Sequence, residues 1–275
     1  MTLLLQISDP HFGTEQPPVV EALAQLVRAQ PPDVLLLSGD ITQRATAAQF
    51  STARAFVDRL QVPAVLAIPG NHDIPLFNLA ARLLWPYARF KRAFGDDLAP
   101  TFENAAVLVL GVNTTRRWRH ADGQVSAAQI EHVTQRLAEA KPMQWRIVLI
   151  HQPVAVTREQ DRHNLLHGHA AAVRAWGAAG ADMIVGGHIH LPFVLRLNDA
   201  LPDAPPDGPP DAPLWAVQAG TAISQRVRAD AGNSVNLIRI GSASTERPPC
   251  QVERWDYRAD SRRFELVSVH PLRAA

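Results

Sequence analysis

Five times within residues 1–190, a run of apolar side chains stops at a short polar cluster. The clusters are Asp9-Pro10-His11, Gly39-Asp40, Gly70-Asn71-His72-Asp73, His151 and Gly187-His188-Ile189-His190. Apolar runs of this length read as strands buried on both faces. A sheet of such strands delivers Asp, His and Asn side chains repeatedly to one edge, and that edge is where a metal site is built.

Between the runs the period changes. Residues 19–29 carry Val20, Leu23 and Val27 at helical spacing, and 47–60 carry Phe50, Val57 and Leu60. With strands over 3–7, 34–37 and 64–68, this is a βαβαβ pattern, which predicts an α/β fold of parallel strands with crossover helices on the faces. Ligands in such sheets lie beyond the carboxyl ends of the strands, where Asp9, Asp40 and His72 are placed. The alternation resumes with a strand over 106–112 and a helix over 126–140, which opens on Ser126 and Gln129 in capping-box spacing. A strand over 147–150, a helix over 170–178 and a strand over 183–185 follow.

From residue 193 onward, the segments 193–197, 214–219, 235–240, 252–257 and 264–269 read as strands joined by turns. They predict an antiparallel or mixed second sheet packed on the first. Segment 199–213, crowded with Pro, Asp and Ala, reads as an exposed hairpin loop. We expect one domain over 1–275, with a motif-bearing βα part (1–190) and a mostly β second-sheet part (191–275).

At 275 residues and 47% hydrophobic, the chain can bury a full core. A net charge of +1 and the absence of a long Lys/Arg run give no electrostatic reason for general binding to nucleic acid or anionic membrane. No apolar stretch approaches the ~20 residues of a transmembrane helix. The opening Met1 to Leu5 lacks the basic start of a signal sequence and reads as a first strand. The single Cys250 agrees with a reducing compartment, so a cytoplasmic location is expected.

Taken alone, Asp9 or Asp40 reads as a cap or a turn. Together with the histidines, both read as ligands. His11 lies two residues beyond Asp9, a spacing that on an extended strand end returns the side chain to the same side; His188 and His190 repeat it. Imidazole and carboxylate without thiolate suit Zn, Mn, Fe or related ions. Asp9, His11, Asp40, Asn71, His72, His151, His188 and His190 are too many groups for one tetrahedral ion. Two ions ~3.5 to 4 Å apart sharing a carboxylate would use them, as is usual for phosphate-ester hydrolysis.

That ordered set, Asp9-x-His11, Gly39-Asp40, Gly70-Asn71-His72-Asp73, His151 and Gly187-His188-x-His190, resembles the calcineurin-like metallophosphoesterase superfamily over residues 3–190. The resemblance implies a four-layer α/β/β/α sandwich with two divalent metal ions (Mn, Fe or Zn) at the carboxyl ends of the central strands. By motif position it implies that Asp9, His11, Asp40 and His190 hold one ion. Asp40, Asn71, His151 and His188 then hold the other, and Asp40 is shared. It leaves His72 to stabilise charge or protonate the leaving oxygen, with Asp73 orienting its ring, while a metal-bridging hydroxide attacks.

Within the superfamily, Gly70 to Pro75, the stretch 76–94 and Gly111-Val112-Asn113-Thr114-Thr115 look like the bacterial class III cyclic-nucleotide and glycerophosphodiester phosphodiesterases. This implies a small phosphodiester substrate such as cyclic AMP, with Asn71, His72 and Asn113 as contacts. The phosphoprotein-phosphatase branch is disfavoured by Ile41-Thr42 after Asp40 and by Asp73 after His72. A nucleotide-sugar or lipid pyrophosphatase, a nuclease and a non-catalytic protein-binding scaffold stay open, as does a homodimer.

Outside the motifs, Arg116 and Arg117 read as a solvated loop, and His163, His167 and His169 as a loop leading into a helix. The stretch 76–94 reads as an amphipathic helix on the core, with a lid or an interface for lipid or a second subunit as the alternative.

Overall fold

The computed structural model describes residues 1–197, 213–242 and 247–272. Of the expected hairpin loop 199–213, all but Pro213 lies outside the described residues. Two six-stranded sheets pack face to face with helices on both outer faces, the expected α/β/β/α sandwich.

In the first sheet β1 (Thr2–Ile7), β2 (Val34–Ser38) and β3 (Ala64–Ile68) run parallel, joined by α1 (Pro17–Ala29) and α2 (Ala47–Leu60). The second sheet has β5 (Val107–Gly111), β6 (Trp145–Leu149), β7 (Met183–Gly186) and β9 (Trp215–Gln218) in parallel. Its antiparallel edges are β4 (Thr101–Glu103) and β8 (Phe193–Arg196). Helices α5 (Ala127–Ala138) and α6 (His169–Ala178) lie on its outer face.

The strands after residue 191 do not form a sheet of their own. β8 and β9 complete the second sheet, whereas β10 (Ser234–Ile240), β11 (Cys250–Arg258) and β12 (Arg263–Leu272) return to the first. There β10 pairs antiparallel with the free edge of β1, and the order is β12-β11-β10-β1-β2-β3. Strand-like segments declare their length but not their partner, because pairing is non-local.

Both sheets are covered on both faces, which is why their central strands read as continuous apolar runs. Between them, Leu4, Leu36, Leu66 and Ile238 meet Val109, Ile147, Leu149 and Val185. Outside the first sheet, Leu23, Val27, Phe50 and Val57 cover Leu5 and Leu35; outside the second, Leu137, Val173 and Trp176 cover Val148 and Ile184. Buried polar links cross the inter-sheet layer, and Asn236 Nδ2 donating to the Gln218 carbonyl at 3.3 Å joins β10 to β9. The buried Gln6 amide donates to the Gly186 carbonyl at 2.8 Å and accepts from Asn236 Nδ2 at 2.9 Å, tying β1 to β7 just below the edge where the polar clusters emerge.

The stretch 76–94 is two short helices, not one. α3 (Leu79–Leu84) and α4 (Ala88–Phe94) are separated by Trp85-Pro86-Tyr87, since proline has no N–H to continue the first helix and disfavours helical backbone before it. α4 behaves as expected, packing Phe90 against Phe50 and Phe94. α3 is inverted: its one buried side chain is Arg82, and Leu79, Leu83 and Leu84 face outward.

Candidate functional site

The carboxyl ends of β1, β2, β3, β6 and β7 lead directly into Asp9, Asp40, the 3-10 turn Asn71–Asp73, His151 and His188 with His190. Asp9, His11, Asp40, His151 and His190 are buried; Asn71, His72 and His188 are half-buried at the rim.

The backbone that aims these groups is not extended, contrary to the sequence expectation. Asp9 (φ 49°), His11 (43°), Asp40 (48°), His188 (73°) and His190 (55°) all adopt the left-handed conformation. Among the described residues only Ala45, Gln61 and Arg262 are other non-glycine examples, so this costly conformation is concentrated at one place. It turns alternate residues inward, which makes each x-His pair converge. Two glycines admit the close approach: a Cβ on Gly70 would overlap the Asp40 amide, and one on Gly187 would overlap Ser8 Oγ and the Asp9 carboxylate.

The convergent atoms form two main groups. In the first, His190 Nε2 lies 3.2 Å from Asp9 Oδ1 and 3.2 Å from His11 Nε2. In the second, His151 Nε2 lies 3.3 Å from both Asp40 Oδ1 and Asn71 Oδ1, with the His151 and His188 ring centroids 5.1 Å apart. His11 Nε2, 3.8 Å from Asp40 Oδ2, joins the groups. The possible ligand atoms of Asp9, His11 and His190 all lie within 4.8 Å of one another, as do those of Asp40, His151 and His188, and those of His11, Asp40 and His72.

This donor set fits divalent ions. His188 Nδ1 is buried without a hydrogen-bond partner, a condition that a cation would relieve. His151 Nδ1 donates to the Ser38 carbonyl at 2.8 Å and His190 Nδ1 to the Arg226 carbonyl at 2.6 Å, so both rings turn Nε2 inward, as metal-binding imidazoles do.

The charges agree with that reading. Burial opposes ionisation of Asp9 and Asp40, but His190 beside the first and His151 beside the second hold both carboxyls below the usual range. Burial also disfavours charge on His151, yet Asp40 prevails and raises it to about 9. Burial pushes His11 down to about 3 and His188 to about 4, leaving both as neutral donors. The site thus holds ionised carboxylates, bare imidazoles and a proton standing where a metal ion would bind.

Two residues sit differently from the sequence expectation. The Asp73 carboxylate accepts from Ile41 N, Thr42 N, Thr42 Oγ1 and Gly70 N, locking the turns after β2 and β3 together, and no hydrogen bond joins it to the His72 ring among the described residues. Burial raises its pKa to about 6, with Asp40 adding to the rise. Asn113 is not brought to the cluster: its side-chain oxygen accepts from Thr115 N and Oγ1, and it lines a separate pocket with Arg116, Arg117 and Trp118. His163 and His169 lie in a 3-10 segment (Glu159–Asn164) and at the start of α6, and His167 faces Asp122 at 3.5 Å.

The sequence reading missed Arg226. Its carbonyl orients His190, while its Nη1 lies 3.1 Å from His72 Nε2 and 3.1 Å from Gln43 Oε1. His72 Nδ1 in turn lies 3.0 Å from the Gln43 carbonyl. The available signal was a sixth apolar run, 214–219, ending in Gly220-Thr221, whose Thr221 Oγ1 donates to the Asp9 carbonyl.

Known proteins carry the same frame. The chain is 26% identical over 208 residues, 70% of its length and 76% of the relative's, to a protein of Synechococcus sp. described as a probable cyclic nucleotide phosphodiesterase. In structure it resembles a dimetal phosphatase from Danio rerio (TM-score 0.70, 13% identity, covering 100% of this chain and 99% of that one). It also resembles a purple acid phosphatase from yellow lupin (Lupinus luteus) seeds (TM-score 0.64, 12% identity, 98% and 53%). The family profile described as calcineurin-like phosphoesterase matches residues 2–192, the span that contains all five polar clusters. With clusters, sandwich and profile in agreement, this chain belongs to the calcineurin-like phosphoesterase family.

Proposed function

We propose that the chain is a metal-dependent phosphodiesterase acting on small phosphodiesters, either a cyclic nucleotide such as cyclic AMP or a glycerophosphodiester. The observation that carries this is the pair of ligand groups meeting at Asp40, with His72 and Arg226 at their rim. The description of the Synechococcus relative supports the substrate class. Asp9, His11, Asp40 and His190 would hold one ion, and Asp40, Asn71, His151 and His188 the other. When bound, such ions supply Lewis-acid neutralisation of phosphoryl oxygens and a hydroxide nucleophile near neutral pH.

The remaining work falls to the protein. With Nδ1 donating to the Gln43 carbonyl, the His72 ring presents the Nε2 lone pair to Arg226. A phosphodiester anion at this rim gives the Arg226 N–H groups a better acceptor, which frees His72 Nε2 to take a proton from solvent and pass it to the leaving oxygen. A reducing, cytoplasmic location fits the lone, buried Cys250.

The test is a hydrolysis panel with added Mn. It compares bis-p-nitrophenyl phosphate, the corresponding monoester, 2′,3′- and 3′,5′-cyclic nucleotides, glycerophosphodiesters and a nucleotide-diphosphate lipid. The diesters should turn over fastest. Preference for the monoester or the diphosphate lipid would overturn the assignment.

A further inference from the structure

The inverted helix α3 leaves an apolar surface beside the candidate active site. Phe77, Leu79, Leu83, Leu84, Trp85 and Trp118 are exposed together. Phe77 (80%), Trp85 (65%) and Trp118 (66%) are the exposed Phe and Trp side chains among the described residues. Their adjacency is built by arginines: Arg82, 8% exposed, crosses from α3 to the Arg119 carbonyl, and Arg117 Nη1 donates to the Leu83 carbonyl at 2.6 Å. Arg44 stacks over Phe77 at 5.3 Å and lines a small pocket with His72, Asn71, Leu76 and His120, so this surface reaches the catalytic rim.

An ordinary surface helix of a soluble domain turns its leucines inward. Here a buried arginine holds them out, and they gain nothing until something covers them. Charge narrows the choice of cover. Arg44 over Phe77 and Arg117 beside Leu83 are exposed on this face and pair with no carboxylate among the described residues, and residues 74–95 and 111–121 contain no Asp or Glu. Of the acids that follow these stretches, Asp96 already faces Lys91 at 3.8 Å and Asp122 faces Arg119 at 3.5 Å. The overall charge of +1 hides this local excess. A second copy docked by two-fold symmetry would set the same arginines against themselves. A bilayer bearing anionic headgroups offers an apolar interior to Leu, Phe and Trp and negative charge to the arginines around them.

We propose that the face formed by α3, Trp85 and Trp118 docks on an anionic phospholipid bilayer and brings the edge carrying His72 up to the membrane surface. Docking goes beyond the phosphodiesterase reading, and it is scored by binding without turnover, so either can fail alone.

The test is co-sedimentation of the full chain with vesicles of phosphatidylcholine alone or of phosphatidylcholine mixed with phosphatidylglycerol. The chain should pellet with the mixed vesicles, bind them less as salt rises, and bind phosphatidylcholine poorly. The double variant Leu84→Ser/Trp85→Ser should bind the mixed vesicles at least about tenfold more weakly, because two apolar side chains no longer enter the bilayer. Its melting temperature and its turnover of soluble bis-p-nitrophenyl phosphate should match the parent. Phe77→Ser, at the other end of the face, gives an independent reading should the double variant misfold. The proposal is overturned if the parent stays in the supernatant with mixed vesicles, or if the correctly folded variants bind as the parent does. It is equally overturned if sedimentation velocity shows a dimer that these substitutions dissociate, which would assign the face to a second copy.

Discussion

His151 Nε2 faces Asp40 Oδ1 at 3.3 Å while the opposite ring nitrogen donates to the Ser38 carbonyl, so the metal-free protein holds a proton between two groups that would otherwise ligate a metal. Asp40 raises the His151 pKa to about 9 from the ordinary 6.5. The stability this pair gives the metal-free fold is fully present below 6.5 and lost as pH rises through about 9. A divalent ion must displace that proton, so metal affinity should rise with pH towards about 9, with proton release on binding. Chelator-competition titrations across this range, in buffers of differing ionisation enthalpy, check the sign. Affinity that falls with rising pH would contradict it.

Asp40 and His72 should separate cleanly by variant. Asp40→Ala removes the carboxylate proposed to serve both ions and should empty both sites as well as abolish turnover. His72→Ala should retain near-parental metal content by elemental analysis while kcat falls about 10² to 10⁴-fold, the range of general acid–base help. His72 also lies within ligand distance of His11 and Asp40, so metal loss on His72→Ala would instead make it a ligand.

Arg226 acts through two different atoms. Arg226→Ala keeps the carbonyl that orients His190 and deletes the guanidinium beside His72. Metal content should therefore hold, while kcat/KM for a diester falls about 10- to 100-fold, as for loss of one charge-assisted hydrogen bond. Parental kcat/KM in this variant would remove the arginine from the reaction.

Asp73 joins the turns after β2 and β3 through four accepted hydrogen bonds. Asp73→Ala should cost about 3 kcal/mol, because buried N–H groups lose their acceptor. Calorimetry should show the melting temperature falling by several degrees in the metal-free protein. Under the orienting role implied by motif position, catalysis would fall while melting stayed constant.

Much of this was legible in the chain, and the reason is local. α2 and β3 carry the boundaries their periodicity predicts, and each candidate ligand sits where an apolar run ends. What escaped depends on partners distant in sequence. The pairing of β10 with β1 joins segments more than 200 residues apart, and Asp73 answers amides at Ile41 and Thr42. The break in 76–94 falls at Pro86, a local signal that the amphipathic pattern of the stretch does not reveal. Arg226 escaped because the run before it ends in Gly-Thr, with no His or Asp to draw notice.

Each ligand group draws on both sheets: Asp9 and His11 follow β1 but His190 follows β7, and Asp40 follows β2 but His151 and His188 follow β6 and β7. Metal ions held this way would act as rivets through the sandwich, resisting any slide of one layer over the other. Gln6 would be the weaker polar rivet just beneath them. Heating or chelation should then let the layers shear before either sheet comes apart, so turnover is expected to fail while secondary structure still stands.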